Sequence, residues 1–100
     1  MKLLVTMRPP DGANVRGAIA RHAREELAEL WRLYCQGVVR EMYSPGGPGA
    51  VLVLEAGSVE EATSQLSSLP LLREENMKLE VTELRPFSAF EMLFSGGERR

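Results

Sequence analysis

One pattern occurs twice in this chain: an amphipathic helical stretch, a break, and then a strand. The second copy is the sharper. Gln65-Leu-Ser-Ser-Leu-Pro-Leu71 closes a helical stretch at Pro70, and Lys78-Leu-Glu-Val-Thr-Glu-Leu84 then alternates apolar and polar residues as a half-buried strand does. The first copy is a helix from about Val15 to Gln36, with Gly37 suited to a left-handed C-cap, leading into a strand at Val38–Tyr43. Strands at residues 2–8 and 50–56 precede the two copies. The order is therefore β-α-β-β-α-β, the split βαβ unit, an α+β architecture with one antiparallel sheet and helices on one face. This is a ferredoxin-like arrangement.

Local signals fill in that frame. Leu3, Val5 and Met7 point one way along the first strand, and Pro9-Pro10-Asp11-Gly12 ends it, because proline donates nothing to a ladder and Asp-Gly favours a turn. Ile19, Ala23, Leu27, Leu30 and Tyr34 form one apolar stripe of the first helix, with Arg21, Arg24, Glu25, Glu29 and Arg32 on its other faces. Pro45–Gly49 reads as a hairpin loop. Val51-Leu-Val-Leu54 is apolar on both faces, as a central strand covered on both sides would be. Ser58 and Glu61 form a capping-box pattern for the second helix, whose buried stripe is Val59, Ala62, Leu66 and Leu69. All three phenylalanines, Phe87, Phe90 and Phe94, fall in the tail at helical spacing, and Ser95-Gly96-Gly97 then releases a polar end. The chain thus divides into a ferredoxin-like domain over residues 1–86 and an aromatic extension over 87–100, which is expected to dock on a neighbour or cover a cavity.

Composition narrows the partners. A net charge of −2 supplies no basic face, so nucleic acid is not an expected partner, and Arg99-Arg100 is a short basic end. One cysteine, Cys35, and one histidine, His22, exclude an internal disulfide and cannot build a zinc site without help from several carboxylates, so no metal is expected, and this usage fits a reducing cytoplasm. No apolar run approaches the roughly 20 residues of a membrane span, so a cytoplasmic protein without a membrane partner is expected. The open sheet face carries Leu4 and Val51 or Leu52. An apolar face of that size points to a homodimer or a higher homo-oligomer.

Three segments carry a resemblance. Met1-Lys-Leu-Leu-Val-Thr-Met7, Leu66-Ser-Ser-Leu-Pro-Leu71 and Glu80-Val-Thr-Glu-Leu84, at their spacing, resemble the muconolactone isomerase family over about residues 1–88, and Leu-Pro-Leu is the most specific part. The resemblance implies a dimeric α+β barrel, often assembled further. It implies an enzyme that shifts a proton and a double bond in a small unsaturated lactone without metal or cofactor. It assigns the helix-one glutamate to Glu26, leaves Leu27 where the isomerases carry a basic residue, and puts Arg40 and Tyr43 where they carry a histidine and an arginine. These departures suit a relative with a changed pocket. Such a relative is an isomerase or cyclase on a lactone or a polyketide-derived ring, a cofactor-independent monooxygenase on an aromatic substrate, or a non-catalytic oligomeric ligand-binding or assembly protein.

Each chemical role has a plain structural alternative. Glu26 is the expected base if it points into a cavity, where desolvation raises its pKa, and otherwise a solvated helix carboxylate. Arg40, expected to share a strand face with Val38 and Met42, is a fixed charge for an enolate oxygen or a stem covering the sheet edge. Tyr43 donates to a substrate oxygen or ends the strand with a wet hydroxyl. His22, Trp31 and Glu55 are the candidate substrate-binding residues. His22 is a proton shuttle or a surface histidine, Trp31 a stacking platform or a packing residue, and Glu55 a barrel-mouth carboxylate or the wet edge of the sheet. Cys35 sits at the helix end that disfavours a thiolate, so a nucleophilic role is not expected of it.

Overall fold

The computed structural model describes residues 1–94. The expectations for Ser95-Gly96-Gly97 and for Arg99-Arg100 lie outside the described residues. Four strands, β1 (Lys2–Arg8), β2 (Val39–Tyr43), β3 (Ala50–Glu55) and β4 (Lys78–Leu84), form one antiparallel sheet in the order β2-β3-β1-β4. The helices are α1 (Arg16–Cys35), α2 (Val59–Leu66) and α3 (Pro70–Arg73). A 3₁₀ helix, Ser88–Leu93, follows β4. This is the α+β, ferredoxin-like order expected.

Alternation decides which sheet face is buried. Leu3, Val5 and Met7 of β1 and Leu52 and Leu54 of β3 lie under Leu30 and Leu33 of α1 and Ala62, Leu66 and Leu69 around α2. Leu3, Leu33, Leu52, Leu54, Leu66 and Leu69 are fully buried, and each such side chain stabilises the fold by about 1.5–3 kcal/mol. The other face carries Leu4, Thr6, Val51 and Val53, all half-buried, and none of them belongs to the helix-covered cluster. The apolar-on-both-faces reading of β3 therefore holds for the residue types, while among the described residues the helices pack on one face.

Four local expectations are corrected. Pro70 does not simply stop a helix. It begins α3, at a position where a missing N–H costs nothing because the first turn has no acceptor for it. The α1 stripe is rotated from the expected one: Ala18, Leu30 and Leu33 are buried together with Glu26, whereas Leu27 and Tyr34 are exposed. The reason is that α1 packs on the sheet through Leu30 and Leu33 and on Val15, Leu71 and Met77 through Ala18, while the Ile19–Leu27 line overhangs a cavity. Val59, the first residue of α2, is exposed, whereas Ala62 and Leu66 of the same stripe are buried. In β2 a bulge between Val39 and Glu41 adds Arg40 as an extra residue and breaks the alternation that would put Arg40 on the face of Met42. Past the bulge, Met42 pairs with Leu52 on the helix-covered face, and Glu41 and Tyr43 pair with Val53 and Val51 on the open face.

Ser58 caps α2 as expected, its Oγ accepting the Glu61 N–H at 3.0 Å. Gly37 takes φ +79° after α1, the left-handed conformation that a side chain disfavours.

Candidate active site

Glu26 is the one charged residue that is buried among the described residues. It borders a cavity of about 400 Å³ between α1, the sheet and α3. The walls come from β1 (Met7), from the overhanging line of α1 (Ile19, Ala23, Leu27, Leu30), from the β2–β3 hairpin (Met42, Tyr43, Ser44, Gly49, Ala50, Leu52), and from Leu71 and Met77. The apolar stripe read from the sequence of α1 is thus largely cavity wall.

The Leu-Pro-Leu segment aims a backbone donor into this site. Pro70 has no N–H, and the next amide, that of Leu71, donates to Glu26 Oε1 at 3.1 Å. Desolvation raises the Glu26 pKa above 4.5, and that effect outweighs the opposing pull of the Leu71 hydrogen bond and of the charges of His22 and Arg73. A carboxyl group with a raised pKa in an apolar cavity is better suited to take up and return a proton than a solvated one.

Glu26 belongs to a polar seam that the sequence reading missed. His22, Glu25, Glu26 and Glu29 stand at i, i+3, i+4 and i+7 on α1, the spacing that places side chains on one helical face. Their partners run backwards along the segment at α3. His22 Nε2 lies 3.1 Å from Glu74 Oε1, Glu25 lies 3.3 Å from Arg73, Glu26 accepts from Leu71, and Glu29 accepts from Ser68 Oγ. The sign of a helix-face seam was present in the spacing, but the partners on residues 68–74 are not adjacent in sequence. Ser44 was also missed. Its Oγ accepts the Gly46 N–H at 3.2 Å, so its own proton is left for another acceptor at the cavity edge.

The structure distributes the sequence candidates as follows. Glu26 and Tyr43 border the same cavity, but the Tyr43 hydroxyl donates to Glu41 Oε1 at 2.6 Å on the open face, a bond that raises its pKa. Arg40 is exposed, with Nε donating to the Gly37 carbonyl at 2.6 Å. Glu55, half-buried at the far end of β3, accepts from the N-terminal ammonium of Met1 at 2.7 Å, which lowers its pKa. His22 is in the seam behind Glu26, outside the cavity lining. Trp31 is 63% exposed and stacks on Tyr34 with ring centroids 5.6 Å apart, also outside the lining. Cys35 is exposed. Among the described residues no helix is long and apolar enough to cross a membrane, and no group of three or more His, Cys, Asp or Glu is placed to hold a metal ion.

Comparison with known proteins identifies the fold. No family model and no curated protein matches the chain. Among solved structures, muconolactone isomerase matches with a TM-score of 0.66 and 26% identity over 89% of this chain and 95% of that one. A 5-chloro-2-hydroxyhydroquinone dehydrochlorinase from Burkholderia phenoliruptrix AC1100, solved with 2,5-dihydroxybenzoquinone, matches with a TM-score of 0.65 and 18% identity over 85% of this chain and 94% of that one. The chain has the muconolactone isomerase-like fold, as its opening strand, its Leu-Pro-Leu segment and its last strand suggested.

Proposed function

We propose that this chain is a cofactor-free isomerase or cyclase that moves a proton within a small unsaturated lactone or polyketide-derived ring, with Glu26 as the base. The observation that carries the reading is a buried carboxylate of raised pKa bordering a cavity of about 400 Å³. That volume suits a compact ring. In the proposed step, ionised Glu26 removes a proton from a carbon next to the conjugated carbonyl system. The C–H electron pair delocalises onto the carbonyl oxygen, and Glu26 returns the proton to a different carbon as the double bond shifts. The Ser44 hydroxyl, at the cavity edge, is the donor this reading assigns to the developing oxyanion. The fold shared with an isomerase and a dehydrochlorinase supports a small-molecule enzyme.

Arg40, which the resemblance implicates in holding the oxygen, is tied to the Gly37 carbonyl, and Tyr43, implicated with it, borders the cavity but turns its hydroxyl to Glu41 on the open sheet face. That face, with Leu4, Val51 and Val53, is proposed to be covered by a second copy, as is the aromatic tail.

The test is turnover. Unsaturated lactones that raise the melting temperature of the protein are assayed with the wild-type chain and with Glu26→Gln. A catalytic proton transfer contributes about 10²–10⁴-fold, so the variant is expected to bind the same lactones and lose activity by that factor. Equal turnover in the two proteins rules out Glu26 as the base.

A further inference from the structure

The geometry points to a substrate class: the cavity accepts an uncharged, largely apolar ring and rejects the same ring bearing a carboxylate, with Leu27 setting that preference. The inference rests on the proposed use of this cavity as a substrate site.

Three observations carry it. The first is the lining. Met7, Ile19, Ala23, Met42, Leu52 and Met77 present hydrocarbon and thioether, and Glu26 is the one charged side chain bordering the cavity among the described residues. A ligand carboxylate would give up its hydration to stand beside an anion in a site of low dielectric. Both effects oppose binding.

The second is the engagement of the nearby cations. Arg73 bonds Glu25 and the Ser68 carbonyl, Arg32 bonds Glu29 and Gln36, and Arg40 bonds the Gly37 carbonyl. None of these three guanidinium groups borders the cavity. Recruiting one to a ligand would break a bond already made. The polar groups at the rim, Ser44 foremost, suit a neutral carbonyl or hydroxyl instead.

The third is Leu27. It is 66% exposed, although it follows Glu26 directly and borders the cavity with Ala23 one turn before it and Leu30 almost one turn after. A leucine left in solvent adds nothing to the packed core. At this position it gives the mouth of the cavity an apolar lip. A lysine would fit the same place without displacing core atoms, and its flexible stem would carry a charge over the opening.

The experiment is calorimetric titration of the full chain at pH 7.5 with two matched probes: an unsaturated five-membered lactone bearing an acetate side chain, and its methyl ester. The wild-type protein is expected to bind the ester at least tenfold more tightly than the acid. Leu27→Lys is expected to close or reverse that gap by strengthening the acid, and Glu26→Gln to narrow it by removing the opposing charge. Acid binding to the wild-type chain as tightly as the ester overturns the inference. A ratio unmoved by Leu27→Lys overturns the role of that residue, and no binding of either probe at millimolar concentration overturns the ligand class. Turnover separates this inference from the proposal beneath it. Ester-selective binding with Glu26-independent turnover defeats the base and leaves the substrate class standing. Glu26-dependent turnover with preference for the acid does the reverse.

Discussion

The Leu71 amide donates to the Glu26 carboxylate at 3.1 Å, joining the middle of α1 to the first turn of α3 across 45 positions of sequence. The bond holds the carboxylate at the cavity wall, and Pro70 is what makes Leu71 the first amide of that turn able to reach it. Because burial outweighs this bond, the folded-state pKa of Glu26 lies above its ordinary value of 4.5. The sign of the consequence follows from linkage. The folded protein holds the proton more tightly than the unfolded chain, so the contribution of Glu26 to stability is fullest below pH 4.5 and is lost as pH rises through the folded pKa. Glu26→Gln keeps an acceptor for Leu71 and removes the charge. The variant should therefore be more stable than the wild type at pH 8, with the advantage gone by about pH 4, which paired urea titrations at the two pH values will read. A variant less stable at pH 8 than at pH 4, relative to wild type, would contradict the buried-carboxylate account.

Gly49 makes the second prediction. It closes the hairpin into β3 at φ +120° and borders the cavity, and a Cβ placed there would come within 2.1 Å of the Met7 carbonyl oxygen. The obstacle is backbone, in the strand next to β3, so it cannot rotate aside. Gly49→Ala should cost about 1–3 kcal/mol, the range for forced overpacking, on top of the strain at this φ. Gly46 is also at positive φ, but a Cβ there meets nothing within 4 Å, so Gly46→Ala should cost less. Chemical denaturation of the two variants side by side tests the contrast.

The fold was readable because its signals are local and periodic: the alternation of Leu3, Val5 and Met7, the Ser58 cap, and Gly37 after α1 each act within a few residues. The strand order follows from the chain order once the split βαβ unit is accepted. Of the residues that border the cavity, Glu26 and Tyr43 were legible as candidates in the sequence, and both through the resemblance. Periodicity marks a helix face as apolar but does not distinguish a face pressed on a sheet from one that overhangs a void, so Ile19, Ala23 and Leu27 read as core. A bulge leaves no sharp mark in sequence, so the displacement of Arg40 was invisible. Pro70 reads equally as the end of one helix and the start of the next, and only the contact between Leu71 and Glu26 decides.

The seam predicts a stability transition of the opposite sign. Glu29 accepts from Arg32 (Nε at 2.9 Å) and from Ser68, and these bonds hold its pKa down to about 2. A depressed carboxylate stabilises the folded state above its unfolded pKa and loses that contribution as pH falls toward the folded value. Glu29→Gln should therefore be less stable than the wild type at pH 7, and the two proteins should converge as pH falls from 4.5 toward 2. Ser68→Ala should show a smaller loss over the same window, since the Arg32 bond is the larger cause of the shift. Thermal melts of the three proteins at pH 7 and pH 2.5 measure both effects, and parallel melting curves at the two pH values would remove Glu29 from the acid response.

The tail gives the last prediction. Phe87 and Phe90 meet edge to face with ring centroids 5.2 Å apart, yet Phe87 is 73%, Phe90 62% and Phe94 78% exposed. Met92 and Leu93 between them are exposed as well. A contiguous apolar patch of this kind marks an interaction surface in a well-behaved protein, and the half-buried open face of the sheet offers a second one on the same molecule. If both are closed by copies of this chain, the protein sediments as a dimer or larger species at micromolar concentration. Burying one phenylalanine side chain is worth about 1.5–3 kcal/mol, and 1.4 kcal/mol is tenfold in a dissociation constant. Replacing Phe87 and Phe90 with serine should then weaken assembly by at least tenfold while leaving the circular dichroism of the protomer intact, since neither side chain belongs to the core. Light scattering that gives the mass of one chain, 11.1 kDa, for the wild-type protein at those concentrations would defeat the assembly proposal, and the exposed aromatics would then need a different partner.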